Sequence, residues 1–172
     1  IRGGCSVLTG VQTCAPPMGE LVRSGSVEGK ANAAAALSNL AANNAENKVT
    51  IASAGAIPPL VELVRSGSAE GKAKAATALR ILATNNAENQ VTIASAGAIP
   101  PLVELVRSDS AEGKAKAAAA LGNLAANAEN QVTIASAGAI PPLVELVRSS
   151  SAEGKANAVA ALRILAANNA EN

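Results

Sequence analysis

Ile57, Leu60, Val61 and Val64 fall at i, i+3, i+4 and i+7, the stripe of one helical face, while Glu62 and Arg65 point away from it. This spacing predicts a helix from Ile57 to Arg65. Pro58 and Pro59 belong in its first turn, where a missing N–H leaves no bond unmade. Gly55 supplies a sharp turn before it. Upstream, Ala45 to Ala54 reads as a short helix, with Asn44 as its cap and Glu46 at the positive end of its dipole. Downstream, Ser66 and Gly67 end the second helix and Ser68 can cap a third, with Glu70 in its first turn. Ala73, Ala76, Leu79, Ile81 and Leu82 carry the helical period on to Ala83. Asn85 and Asn86 stop that helix, asparagine being tolerated in the left-handed conformation. One unit is therefore three helices: short, medium and long.

The unit repeats. Glu46 to Ser66 recurs at Glu88 to Ser108 and at Glu129 to Ser149, and only Lys48 departs from Gln90 and Gln131 of the other copies. Pro-Pro pairs begin at Pro16, Pro58, Pro100 and Pro141, in steps of 42, 42 and 41 residues. The lost residue lies in the asparagine loop, where Asn127 stands alone; Asn43, Asn85, Asn127 and Asn168 are read as helix terminators. Residues 1–15 form an atypical N-terminal segment and 16–172 an array, with repeats at about 16–45 (partial), 46–87, 88–128 and 129–170. Ser6 to Ala15 aligns with Lys48 to Ile57 but shares little beyond Val7, and Thr13 replaces the turn glycine. No such unit can bury its apolar faces alone, so each must stack on its neighbours. Leu102, in an interior copy, is accordingly expected to be harder to replace than Leu143 in the terminal one.

Composition sharpens the picture. Nearly half of the 172 residues are apolar, yet Phe, Trp and Tyr are absent, so the core is Leu, Ile, Val and much Ala, which lets helices approach closely. Fourteen basic against thirteen acidic residues leave a net charge of +1, with both signs at fixed places in each copy. A nucleic-acid footprint would need a basic stripe and usually stacking aromatics. Glu, Arg or Gly interrupts every apolar stretch before the roughly 18 residues of a membrane helix, so no membrane insertion is expected. The start at Ile1 has neither an initiating Met nor a signal-peptide pattern and reads as a fragment or processed start, with an intracellular, cytoplasmic or nuclear setting expected. Cys5 and Cys14 without any His support neither a zinc site nor a disulfide framework.

The copies of the third helix differ on one face. Changes collect at Asn32, Lys74, Lys116 and Asn157; at Ala35, Thr77, Ala119 and Ala160; and at Asn39, Ile81, Asn123 and Ile164. Spacings of three and four residues place them together, while Leu79, Leu82 and their counterparts stay constant as core positions. The tentative binding set on this stripe is Asn32, Asn39, Lys74, Thr77, Ile81, Lys116, Asn123, Asn157 and Ile164. Asn39 and Asn123 either touch a ligand or satisfy backbone groups, and Ile81 and Ile164 are weighed as extra packing against the adjoining repeat. Lys74 and Lys116 are expected near Glu70 and Glu112 at i,i+4 spacing.

Gly-Ala-Ile-Pro-Pro-Leu-Val after a short helix, with Ala-Leu-Ser-Asn-Leu-Ala at Ala36 to Ala41, resembles the armadillo repeat, especially plant and algal multi-repeat proteins and vacuolar-protein-8-like scaffolds. HEAT repeats are the near competitor, but a three-helix unit with Gly between its first two helices favours armadillo. The resemblance covers residues 16–172 and implies an all-α, right-handed α-solenoid of about four three-helix repeats. It also implies a scaffold that holds protein segments in a concave groove lined by third helices, where an asparagine ladder grips an extended peptide. Asn39 and Asn123 match that ladder; Ile81 and Ile164 depart from it, and Ala35, Thr77, Ala119 and Ala160 stand where a pocket-forming Trp is usual. Importin-like reading of a basic peptide is therefore disfavoured.

Catalysis is disfavoured by inventory, with no His or Tyr, Asp109 as the sole Asp and twelve Glu at repeated positions. No cofactor or metal is expected. The partner is expected to be a protein or peptide and not a nucleic acid, with homo-oligomerisation through uncapped repeat ends as a further expectation. The alternative is a structural or self-assembling repeat fragment, or a consensus-like designed array with no natural ligand.

Overall fold

A computed structural model describes residue 22 and residues 25–148 and 151–167, and ten helices are delimited among them. They are α1 (Val27–Ala41), α2 (Ala45–Ser53), α3 (Ile57–Ser66), α4 (Ala69–Ala83), α5 (Ala87–Ser95), α6 (Ile99–Arg107), α7 (Ala111–Leu124), α8 (Ala128–Ser136), α9 (Ile140–Val147) and α10 (Ala152–Ala167). The chain is an all-α solenoid: α1 is the third helix of one unit, and α2–α4, α5–α7 and α8–α10 are three complete units. Cys5, Cys14 and the N-terminal segment lie outside the described residues, as does Asn168.

Each boundary has a local cause. Asn44, Asn86 and Asn127 cap the short helices, their side chains accepting from the amides of Asn47 (2.9 Å), Asn89 (2.9 Å) and Asn130 (3.1 Å). Ser26, Ser68, Ser110 and Ser151 cap the long helices through the amides of Gly29, Gly71, Gly113 and Gly154 at 3.0–3.1 Å. The middle helices lack a side-chain cap; proline in their first turn removes the need for one. Gly55, Gly97 and Gly138 sit at φ 76°, 78° and 74°, the left-handed region that joins the short helix to the middle one. Asn43 and Asn85, at φ 56° and 54°, terminate long helices as expected. Asn127 does not. With one residue fewer in its loop it is extended at φ −89° and serves only as the cap of α8.

Successive units meet chiefly through their long helices, α1 on α4, α4 on α7 and α7 on α10. The contact surface is alanine: Ala34, Ala75, Ala76, Ala78, Ala117, Ala118, Ala120, Ala158 and Ala161 are all buried with no exposed area. Gly122 extends this close approach, since a Cβ there would stand 3.4 Å from the Ala161 Cα. Within a unit, the middle helix packs its Ile, Leu and Val stripe against the long helix. Leu79, Leu82, Leu121, Leu124 and Leu165 are buried as constant core positions, whereas Leu40 is exposed.

One stability expectation changes. Leu102 and Leu143 are equally buried, both at 0% exposure, so this leucine needs no following unit to cover it. The residues that depend on the next unit are its neighbours: Ile57 and Ile99 are 1% exposed but Ile140 is 42% exposed. Val61 and Val103 are likewise buried, and Val144 is not. Ile99→Ala is therefore expected to lose about 2–5 kcal/mol in urea melts and Ile140→Ala less than about 1 kcal/mol. Equal losses at the two sites would contradict stacking as the source of the difference.

Candidate functional site

The variable stripe of the long helices lies along one side of the helix layer, and the structure divides its residues into free and engaged groups. Asn39, near the C-terminus of α1, is exposed, and its side chain makes no hydrogen bond among the described residues. It lines a hollow of about 150 Å³ together with Ala35, Ser38, Lys74, Thr77 and Glu112. Three successive long helices thus contribute to one concavity. The aromatic-free sequence leaves Ala35 and Thr77 as its small walls. Thr77 Oγ1 donates to the Ala73 carbonyl at 2.9 Å, so the hydroxyl is committed to its own helix.

Asn123, the other candidate ladder residue, is engaged. Its Nδ2 donates to the Arg80 carbonyl at 3.1 Å and to Thr84 Oγ1 at 2.7 Å, both at the end of the preceding long helix. Both amide hydrogens are used, and only the Oδ1 acceptor remains for another molecule. The Arg80 carbonyl already accepts from the Thr84 amide at 3.0 Å and from Thr84 Oγ1 at 2.8 Å, so Asn123 adds a bond from the next repeat to a helix end that is closed locally. Asn157 also reaches the preceding unit, its Nδ2 donating to the Ala115 carbonyl in the early part of α7 at 3.0 Å.

The charged candidates also bridge repeats. Lys74 pairs with Glu70 at 2.6 Å, the i,i+4 geometry expected, and reaches Asn32 Oδ1 of the preceding unit at 3.4 Å. Lys116 does not pair with Glu112: its Nζ lies 2.6 Å from Glu153 of the following unit. Stacking brings Glu153 within reach of Lys116 and leaves Glu112 turned into the Asn39 hollow. Ile81 and Ile164 are half-buried and pack against the core. Ala119 is half-buried and Ala160 exposed. The structure therefore gathers Asn39, Lys74 and Thr77, and leaves Asn157 and Ile164 apart from that hollow.

A polar ladder, buried at Asn89, Gln90, Asn130 and Gln131 and half-buried at Asn47, escaped the sequence reading. Asn47, Asn89 and Asn130 of the short helices donate to the carbonyls of Leu40 (2.8 Å), Leu82 (3.0 Å) and Leu124 (3.1 Å) at the ends of the preceding long helices. Asn89 and Asn130 also reach the carbonyls of Lys48 (3.3 Å) and Gln90 (3.1 Å) in the previous short helix. Gln90 and Gln131 donate to Ala83 (3.0 Å) and Ala125 (2.7 Å), while Lys48 sends its Nζ to the Thr84 carbonyl at 2.8 Å. The signal was present in the invariance of these asparagines among the copies, which matched a helix-start pattern and concealed an inter-repeat role. Among the described residues no cluster of metal-ligating side chains occurs, and no helix is long and apolar enough to cross a membrane.

The chain matches the family model for the Armadillo/beta-catenin-like repeat over residues 44–84, 86–126 and 127–167, and so belongs to that family. Its fold is that of an armadillo repeat scaffold. Among solved structures, an engineered protein superposes with a TM-score of 0.86 at 33% identity, covering 90% of this chain and 64% of its own. A designed armadillo repeat protein gives 0.81 at 35% identity, covering 86% and 62%. Another, in complex with the peptide (KR)4, gives 0.80 at 32% identity with the same coverage of 86% and 62%. The chain thus spans less than two thirds of the length of these neighbours. No curated protein sequence matches it.

Proposed function

We propose that this armadillo array is a non-catalytic scaffold that binds an extended protein or peptide segment along the long-helix face. The observation that carries the reading is the carboxamide of Asn39, without a hydrogen bond among the described residues, at the edge of a hollow shared by three successive long helices. A carboxamide can accept from one backbone N–H of a ligand and donate to one carbonyl, the pairing an extended chain leaves open. Asn123, with both donors committed to Arg80 and Thr84, contributes only an acceptor. Neighbouring designed armadillo proteins, one of them in complex with a peptide, support a peptide as the ligand class. The face lacks aromatic side chains and balances Lys74 and Lys116 against Glu70 and Glu153, which argues for a polypeptide and against a nucleic acid.

A random peptide library displayed on phage and selected on the intact chain tests this reading. Peptides enriched on the wild type are expected to bind about tenfold more weakly to an Asn39→Ala, Asn123→Ala variant of matched thermal stability, one lost buried hydrogen bond being worth about that factor. Equal binding to both proteins would move recognition to another surface.

A second reading has its own support. Ile140, Val144 and Val159 expose a patch on the last described unit, and the counterparts of the first two are covered by a neighbouring unit elsewhere in the array. A second copy stacking on this end would bury it. Light scattering across a wide concentration range is expected to show concentration-dependent association that Ile140→Ser abolishes; a strict monomer throughout would remove self-assembly.

A further inference from the structure

A second surface repeats along the array, on the side formed by the middle helices. Three notches open between successive units. One is lined by Val27, Lys30, Pro58, Pro59 and Glu62; the next by Val64, Lys72, Pro100, Pro101 and Glu104; the last by Val106, Lys114, Pro141, Pro142 and Glu145. Their volumes are about 320, 310 and 800 Å³. None of these residues belongs to the long-helix face described above.

The charges in the notches do not cancel. Arg65 is bonded to Glu62 and Arg107 to Glu104, so the arginine and the glutamate of these units neutralise one another. Arg107 also donates to the Gly138 carbonyl of the next unit at 3.1 Å, which fixes its head. Lys30, Lys72 and Lys114 are left, and none of their ammonium groups has an ion-pair or hydrogen-bond partner among the described residues. In the last notch Arg148 joins Lys114 against the single carboxylate of Glu145. Each notch therefore offers an apolar, proline-edged wall beside an ammonium group that makes no ion pair among the described residues, at a spacing set by the repeat.

We propose that these notches are a docking ladder for an acidic extended segment of a partner protein, one carboxylate side chain per repeat. Packed helices stand about 8–10 Å apart and an extended chain advances about 3.3 Å per residue, so one repeat matches about three residues of ligand. The carboxylate meets the lysine, and the residues between lie on the valine and proline walls. A nucleic acid would add little here, since the chain has no aromatic side chain on which bases could stack.

Fluorescence anisotropy on the intact chain tests the ladder with a fluorescein-labelled peptide carrying Glu at every third position. Its isomer of the same composition with the Glu residues adjacent is the first control, and a labelled oligothymidylate is the second. The spaced peptide is expected to bind best, to weaken as salt is raised, and to lose about tenfold in affinity on Lys72→Glu, Lys114→Glu, because like charges meeting at an interface oppose association. Lys72→Gln, Lys114→Gln should lose less, with unchanged thermal melts in both, and Asn39→Ala, Asn123→Ala should bind as the wild type does. The ladder is overturned if the spaced peptide does not bind, if the clustered peptide or the oligonucleotide binds as well, or if only the asparagine variant loses affinity.

Discussion

Close packing of alanine against alanine between successive long helices is the contact on which the array depends. Ala34, Ala76 and Ala118 have no exposed area, and the long helices are the main seam between units. An alanine seam confers little burial per residue but permits near backbone approach, and dispersion rises steeply as surfaces close. It also sets the distance across which Asn123 reaches Arg80, Lys116 reaches Glu153 and Asn157 reaches Ala115. With bulkier side chains in the seam, those bonds would lose their geometry.

On this seam the polar ladder adds direction. Buried amides must be bonded, and Asn89, Gln90, Asn130 and Gln131 find their acceptors in the carbonyls at long-helix ends. A slip of one unit against another would orphan several of these groups together, so the ladder favours a single register over a sliding stack. Lys48, where the other copies have glutamine, makes a different bond: its ammonium group donates to the Thr84 carbonyl at the end of its own unit's long helix.

What could be read from the sequence was local. Pro58 and Pro59, Gly55, Asn44 and Ser68 each act within a few residues of where they stand, and the helices they delimit lie where their chemistry places them. Relations between units were harder. Spacing along one helix put Lys116 beside Glu112, but stacking supplied Glu153 at 2.6 Å. The same limit hid the partners of Asn123, because backbone carbonyls carry no residue identity that a sequence comparison can detect. Asn127 departs from the expected terminator role for a different reason: one deletion changes the loop conformation, and the residue keeps its cap and loses its left-handed role. Of the candidate site, the face was legible from the variation among copies, while the division into a free Asn39 and an engaged Asn123 required coordinates.

The most direct measurement is the urea unfolding of Ala118→Leu beside Ala160→Leu, the first a seam residue with no exposed area and the second exposed on α10. If alanine packing sets the array, Ala118→Leu loses about 1–3 kcal/mol through overpacking while Ala160→Leu stays within about 0.5 kcal/mol of wild type. Equal stability of the two variants would contradict the alanine seam as the governing contact.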